Sequence, residues 1–224
     1  MELKVIAHIH TDFPTKFGIP RQSGLIEELK GEIVMEPEYR DPAAMRGLEG
    51  FSHIWLIWNF SEVKREGWSA AVTPPRLGGK KRMGVFATRS PFRPNPIGLS
   101  CVKLEEIIYD SRGTVLRVSG ADLMDGTPIY DIKPYLPLSD CRPNATAGFA
   151  EETAEDHLEV VFPEALAALV PKDHLQGLIA ALKGDPRPAY QNDPDREYGF
   201  YFLDFDIRFK VRDHVLTVTE IVFQ

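Results

Sequence analysis

Two arginines and an asparagine lie in a rigid, basic segment, GVFATRSPFRPNPIGLS, at residues 84–100. Its three prolines each fix φ at about −65° and restrict the residue before them, so Arg89, Arg93 and Asn95 are held in a preorganised loop. A guanidinium offers a planar fork of donors that suits carboxylates and phosphates, and a rigid loop loses little entropy on binding. The segment therefore predicts an anion-binding site. The alternative is a stiff connection whose arginines pair with acidic residues.

The basic character extends beyond this loop. The chain has a net charge of −7, yet residues 69–100 contain no Asp or Glu. They carry six cations instead, Arg76, Lys80, Lys81, Arg82, Arg89 and Arg93. A local basic face on an acidic protein is typical of a surface that meets a polyanion such as RNA. An ordinary solvated basic loop is the alternative.

Two further patches combine stiff turns with polar residues. DLMDGTPIYDIKPY (residues 122–135) contains a tight turn at Asp125-Gly126, and DPRPAY (residues 185–190) contains Arg187 and Tyr190. Tyr190 could stack on a nucleic-acid base. A plain turn with a surface ion pair and a proline-rich helix exit are the alternatives. The glycine motifs of dinucleotide and phosphate cradles are absent from the sequence, so a nucleotide-like ligand would need a different kind of site.

A metal site is a weaker hypothesis. His8 and His10 are two residues apart on a predicted strand, so their side chains point the same way, but no motif supplies further ligands. The two cysteines, Cys101 and Cys141, lack CxxC spacing. We therefore expect no metal, and histidines on the outer face of a strand.

The pattern of short alternating segments predicts a mainly β fold. Strands are expected at residues 3–13, 31–37, 53–60, 81–89, 99–110, 114–126 and 128–137, without the long helices of a parallel sheet. This favours a small β-barrel over residues 1–140, although a sandwich fits the pattern too. A linker or arm follows at 141–157, and then a small α+β domain at 158–224.

The C-terminal domain is predicted from one helix and a hairpin. Leu175, Leu178, Ile179 and Leu182 form a single helical stripe that ends at Gly184. Residues 201–211 and 215–223 alternate as the two strands of the hairpin. The longest apolar run has only ten residues and the N-terminus lacks an uninterrupted apolar core, so we expect a cytoplasmic protein with no membrane span.

Several long motifs in this order resemble one family. PRQSG, RGLEGFSHIW, PPRLGGKKRMGVFATRSPFRPNPIG, DLMDGTPIYDIKPYLP and DPRPAY are together similar to the TsaA-like (TrmO) family of tRNA methyltransferases. The resemblance covers residues 4–137 and resumes at DPRPAY and the terminal hairpin. The first strand departs from the family pattern, IGxIxSP, because this chain has IAHIHTDFP there.

The resemblance implies a β-barrel that binds S-adenosylmethionine, a homodimer with the cofactor near the subunit interface, and methylation of N6 of threonylcarbamoyladenosine beside the anticodon of tRNA. Motif matching places cofactor contacts on Pro20, Arg21, Gln22, Ser61, Glu62, Arg89, Leu99, Asp125, Gly126, Thr127 and Pro128. Contacts with tRNA are expected at Arg76, Lys80, Lys81, Arg82, Arg93, Asn95, Arg187 and Tyr190.

No catalytic base is assigned. The sulfonium methyl is already activated, so transfer needs mainly alignment of the methyl group with the nitrogen. The carbamoyl group makes the N6 proton more acidic, so a weak base or water could remove it. The rival hypotheses are a non-catalytic RNA-binding barrel and a metal-dependent hydrolase that uses His8 and His10.

Overall fold

A closed six-stranded barrel forms the first part of the molecule. The computed structural model describes residues 2–63, 67–74, 81–150, 157–187, 191 and 193–223. The barrel strands are β1 (Ala7–Thr11), β2 (Lys30–Met35), β3 (His53–Asn59), β6 (Ile97–Asp110), β7 (Gly113–Ser119) and β8 (Thr127–Pro134). They close in the order β1-β2-β7-β6-β3-β8, and every neighbouring pair is antiparallel.

Alternating side chains fill the barrel as the sequence pattern predicts. Ala7 and Ile9 of β1 and Ile54 and Leu56 of β3 are completely buried, while the residues between them face outward. Each strand thus contributes one apolar face to the interior. The barrel predicted from the sequence is confirmed, and the sandwich alternative is wrong.

A small ribbon interrupts the barrel between β3 and β6. β4 (Ala71–Val72) pairs with β5 (Met83–Gly84), and a 3₁₀ turn follows at Val85–Ala87. The strand predicted at 81–89 is therefore largely wrong, because the chain turns after two strand residues. The strand predicted at 114–126 is also too long. It ends at Ser119, where Gly120 takes a φ of 76° that favours glycine.

Between the barrel and the C-terminal sheet lie two short helices, α1 (Pro137–Asp140) and a 3₁₀ turn at Gly148–Ala150. The C-terminal sheet consists of β9 (Glu159–Val161), β10 (Tyr198–Phe202), β11 (Phe205–Arg212) and β12 (Val215–Phe223) in the order β10-β11-β12-β9. Helices α2 (Glu164–Ala167) and α3 (Lys172–Lys183) belong to the same region, and Leu178 and Leu182 of α3 are fully buried in its core.

The predicted helix is confirmed, but the predicted strand at 201–211 is divided. A turn at residues 203–204 separates β10 from β11, and Leu203 takes a φ of 51° there. The apolar alternation continues through the turn, because Leu203 occupies the position where a strand would place an apolar side chain. The pattern alone therefore hides the turn.

The connection between β1 and β2 packs into the core of the C-terminal domain, which is separate from the core of the barrel. Phe13 and Leu29 flank the connection between β1 and β2, yet both are buried among residues of the C-terminal sheet and α3. The ring of Phe13 meets that of Phe202 edge-to-face, with centroids 5.4 Å apart. The carboxylate of Asp12 accepts a hydrogen bond from His174 of α3 at 2.9 Å. The connection at residues 12–29, here called the β1–β2 connection, is therefore fixed by both parts.

Burial raises the pKa of Asp12, while the hydrogen bond and the charge of His174 oppose that change. The two side chains form a link between the barrel and α3 that is largely withdrawn from solvent. Within the described residues, no helix is long and apolar enough to cross a membrane.

Candidate active site

A cavity of about 680 Å³ opens at one end of the barrel. It lies between the β1–β2 connection, the end of β3, the proline-rich loop, the start of β6 and the turn before β8. These pieces meet because Asn59 pairs with Ile97 and Trp58 pairs with Ile129, which brings the end of β3 beside the starts of β6 and β8. The polar and charged lining residues are Lys16, Arg21, Gln22, Asn59, Ser61, Glu62, Thr88, Arg89, Arg93, Asp122 and Thr127.

Aromatic side chains build the apolar part of the wall. The rings of Trp58 and Phe60 are 4.3 Å apart and tilted by 56°. The indole lies directly on Gly98, where an added β-carbon would be 2.2 Å from Cε2 of Trp58. Glycine is required at this position because any side chain would displace the indole from the wall.

Arg89 and the β1–β2 connection are in direct contact in the cavity wall. The guanidinium of Arg89 donates a hydrogen bond to the side-chain carbonyl of Gln22, whose amide donates to the main-chain oxygen of Arg21 at 2.6 Å. Arg89 remains exposed. The sequence predicted that Arg21, Gln22 and Arg89 belong to one site, and the tertiary structure brings them together.

Arg93 has a different environment from Arg89. Its Nη1 donates to the main-chain oxygens of Val85 at 3.1 Å and Thr88 at 2.7 Å, and its guanidinium carbon lies 5.6 Å from the centre of the Phe86 ring. These bonds tie the proline-rich loop to the preceding 3₁₀ turn. Arg93 lines the cavity, but it also braces the loop that carries Arg89.

Asp122 is a lining residue that the sequence analysis did not assign. Its Oδ1 accepts a hydrogen bond of 2.6 Å from Ser100 Oγ, which itself accepts one of 2.9 Å from Nε1 of Trp58. Burial raises the pKa of Asp122, and the bond from Ser100 and the charge of Arg89 oppose that change. Asp122 is the first residue of the patch DLMDGTPIYDIKPY, which the sequence singled out without giving this acid a role. Its neighbours Ala121 and Leu123 are both buried.

The turn before β8 contributes mainly through its backbone. Asp125 accepts hydrogen bonds from the main chain of Thr11 and from Nδ1 of His10, both at 3.1 Å, and Gly126 takes a φ of 73°. Of the four residues predicted here, only Thr127 lines the cavity. Asp125, Gly126 and Pro128 lie outside the lining and shape the turn that presents Met124 and Thr127.

The remaining cofactor residues predicted from the sequence line the cavity. Pro20, Ser61, Glu62 and Leu99 are all part of its wall, and the side chain of Leu99 is 49% exposed. The structure therefore groups eight of the eleven predicted residues around one space, with the three turn residues just described as the exceptions.

The residues predicted to contact tRNA are more scattered. Lys81, Arg82 and Asn95 are exposed and lie outside the cavity lining. Arg187 donates two hydrogen bonds of 2.8 Å to Asp185 and lies against the ring of Tyr198, which gives it a structural environment in the C-terminal domain. Arg76, Lys80 and Tyr190 lie outside the described residues.

The two histidines of β1 engage separate carboxylates. Nδ1 of His8 is 2.7 Å from Glu36, whereas Nδ1 of His10 is 3.1 Å from Asp125. No group of three or more His, Cys, Asp or Glu side chains is placed to hold a metal ion in the part of the chain that the structure describes. Both histidines therefore have structural partners on the outside of the barrel.

Chemically, the cavity offers three kinds of contact. Guanidinium groups on one side can bind a carboxylate or phosphate, aromatic and aliphatic side chains can cover a flat ring, and Asp122 provides a negative charge. Such a set matches a ligand that is itself zwitterionic and partly aromatic. Among the described lining residues, the hydroxyls of Thr88 and Thr127 donate to main-chain oxygens, and we find none bonded to a side-chain base. The lining therefore suits binding and alignment.

The comparisons with known proteins cover both parts of the chain. The family model for the tRNA-methyltransferase O N-terminal domain matches residues 8–141, and that for the TrmO C-terminal domain matches residues 155–224. An Escherichia coli K12 protein named tRNA (adenine(37)-N6)-methyltransferase is 40% identical over 220 residues, 95% of this chain and 94% of that protein.

Two other relatives are similar. A Pyrococcus abyssi protein named a probable S-adenosyl-L-methionine-binding protein is 39% identical over 147 residues, which cover 66% of this chain and 74% of that protein. The crystal structure of TrmO from Pseudomonas aeruginosa superposes with a TM-score of 0.80 at 31% identity, covering 100% of this chain and 97% of that one. The two domain matches and the similarity over nearly the whole length together show that this chain belongs to the tRNA-methyltransferase O family.

Proposed function

We propose that this protein transfers a methyl group from S-adenosylmethionine to N6 of adenine 37 in tRNA, and that the base it modifies carries the threonylcarbamoyl group. Membership of the family and the name of the Escherichia coli relative support the reaction. The observation that carries the proposal is the barrel-end cavity, in which family motifs that are far apart in the sequence line one space of suitable chemistry.

The cavity fits the proposed cofactor in size and lining. Its volume of about 680 Å³ lies within the range of roughly 300–1,000 Å³ usual for small-molecule sites. Trp58, Phe60 and Phe92 supply apolar surface for an adenine ring. Arg89 presents a guanidinium that can take the methionine carboxylate through two parallel hydrogen bonds.

When bound, the cofactor supplies an activated sulfonium methyl group. The protein residues then mainly orient the reactants, because an in-line transfer depends on alignment. Arg89 is held ready for that task, since the prolines stiffen its loop and Arg93 ties the loop to Val85 and Thr88. Thr127 and Met124 close the opposite wall on a turn that Gly126 anchors to the main chain of Ile9.

The acid-free segment is the proposed surface for tRNA. Lys81 and Arg82 are exposed immediately before β5, and Asn95 is exposed on the proline-rich loop that also lines the cavity. Cations on this side of the opening would hold phosphates while a base enters the cavity. Arg187 is omitted from this surface because Asp185 already engages its guanidinium.

A homodimer in the cytoplasm, where tRNA is modified, is part of the proposal. The family resemblance implies the dimer, and Ile97 and Leu99 at the cavity are apolar side chains that stay exposed in one chain. Because covering them would remove apolar area from water, we expect a dimer mass in light scattering. The mass of one chain at micromolar concentration would contradict the dimer and leave the reaction unaffected.

The reaction is tested by nucleoside mass spectrometry. Unmodified and threonylcarbamoylated tRNA would be incubated with the protein and S-adenosylmethionine, then digested to nucleosides. We expect threonylcarbamoyladenosine to become heavier by one methylene group, while plain adenosine at the same position stays unchanged. Binding of both tRNA and cofactor without this product would instead favour a non-catalytic RNA-binding barrel.

The role of Arg89 is tested by Arg89→Ala and Arg89→Lys. Loss of a charge-assisted contact should weaken S-adenosylmethionine binding about 10- to 100-fold in Arg89→Ala, measured by calorimetry. Arg89→Lys keeps the charge but not the planar fork, so its affinity should be intermediate. Arg46→Ala is the matched control, because Arg46 is an exposed arginine of the connection between β2 and β3, outside the cavity lining. Unchanged affinity in Arg89→Ala would refute the assignment.

The tRNA surface is tested by the double variant Lys81→Ala/Arg82→Ala. If both cations meet phosphates, the slope of log K for tRNA against log salt should fall by about 2, because fewer counterions are released. Cofactor affinity should stay the same, since neither residue lines the cavity. The Arg46→Ala control should keep the wild-type slope, and an unchanged slope in the double variant would place the tRNA elsewhere.

A further inference from the structure

The carboxylate of Asp122 is part of the cavity wall and has no role in the proposed binding of the cofactor carboxylate. Asp122 faces the same space as Arg89, and among the described residues it forms no ion pair with a Lys, Arg or His side chain. Its side-chain partner is the neutral hydroxyl of Ser100 at 2.6 Å. Main-chain hydrogen bonds from Ser23 and from Asp122 itself also favour the ionised carboxylate. A carboxylate in a cavity wall without a cationic neighbour in contact retains capacity for a positive ligand group.

The carboxylate is also fixed in position. Ser100 is completely buried, and its hydroxyl is held from the other side by the indole N–H of Trp58 at 2.9 Å. Trp58 in turn lies on Gly98 and cannot turn toward β6. The hydrogen bonds from Trp58 to Ser100 and from Ser100 to Asp122 therefore hold the carboxylate in one position, as expected of a preorganised binding group.

Charged groups of opposite sign lie on different segments of the cavity wall. The guanidiniums of Arg21 and Arg89 belong to the β1–β2 connection and the proline-rich loop, whereas Asp122 follows β7 and rests on β6. S-adenosylmethionine has one carboxylate and two cationic centres, the ammonium and the sulfonium. If the guanidiniums take the carboxylate, a cationic centre still needs a negative partner.

We propose that the Asp122 carboxylate, held by Ser100, binds a cationic centre of the cofactor and makes the cavity selective for the charged ligand. This inference rests on the proposed function, because it assumes that S-adenosylmethionine occupies the cavity. The two possible sources of the positive charge are the sulfonium, which is lost on methyl transfer, and the ammonium, which is retained. If the carboxylate binds the sulfonium, methyl transfer removes this contact and favours release of S-adenosylhomocysteine, which lacks the sulfonium charge.

The environment of Asp122 supports this assignment. Burial raises its pKa, so the ionised form is disfavoured while the cavity contains no cation. A ligand cation in contact with the carboxylate would offset that cost, whereas a neutral ligand would not. The remaining charged side chains of the lining are Lys16, Arg21, Glu62, Arg89 and Arg93.

The test is calorimetric titration of wild type and Asp122→Asn with three ligands. S-adenosylmethionine has both cationic centres, S-adenosylhomocysteine has only the ammonium, and methylthioadenosine has neither. We expect Asp122→Asn to weaken S-adenosylmethionine binding about 10- to 100-fold and to leave methylthioadenosine binding unchanged. Weakening of S-adenosylhomocysteine by the same factor assigns the ammonium, and its unchanged affinity assigns the sulfonium.

Asp131→Asn is the matched control, because Asp131 is an exposed carboxylate of the same barrel that pairs with Lys133 outside the cavity. It should bind all three ligands like wild type, and both variants should keep the wild-type melting temperature. Equal weakening of all three ligands in Asp122→Asn, or no weakening, would overturn the inference while the proposed function stands. Wild type that does not bind S-adenosylmethionine would overturn both.

Discussion

The packing of the β1–β2 connection between the barrel and the C-terminal core is the constraint on which the site depends. Phe13 and Leu29 anchor the two ends of this connection in the C-terminal domain, and Asp12 is bound to His174. The middle of the connection carries Pro20, Arg21 and Gln22 into the cavity wall. Without the second domain, these residues would be held only by the contacts of the connection with the barrel, such as the bond from Gly24 to Gly120, and ordering them on binding would cost more entropy.

The proline-rich loop of the cavity wall is stiffened by its own residues. Prolines restrict the loop that carries Arg89, and Arg93 binds two carbonyl groups of the preceding turn. Among the described residues, neither arginine of the loop forms an ion pair with an acidic side chain. Arg93 bonds main-chain oxygens of its own loop, and Arg89 bonds Gln22 and stays exposed beside the cavity. A site that aligns two reactants benefits from such rigidity, because small displacements of positioning groups reduce the rate strongly.

Much of the fold could be predicted from local pattern. The alternation in β1, the stripe of α3 and the barrel class were all visible in the sequence, because burial of one face imposes a period of two or of 3.6 residues. The errors occur at turns. Leu203 is apolar and keeps the alternation while its backbone is left-handed, and the predicted strand through Gly120 continued past a glycine whose φ is positive. Neither residue propensity nor hydrophobic periodicity indicates where a single residue changes the direction of the chain.

For the site, the sequence determined which residue types could hold an anion, and motif resemblance selected eight of the residues that line the cavity. Only the tertiary structure decided which of these residues line the cavity and which support it. It placed Asp125 and Gly126 in the turn before β8 and outside the cavity lining, and it brought Asp122, Ser100 and Trp58 into one hydrogen-bonded chain. The reason is physical: side-chain type and spacing are properties of the sequence, whereas contact across a barrel depends on register between strands that are distant along the chain.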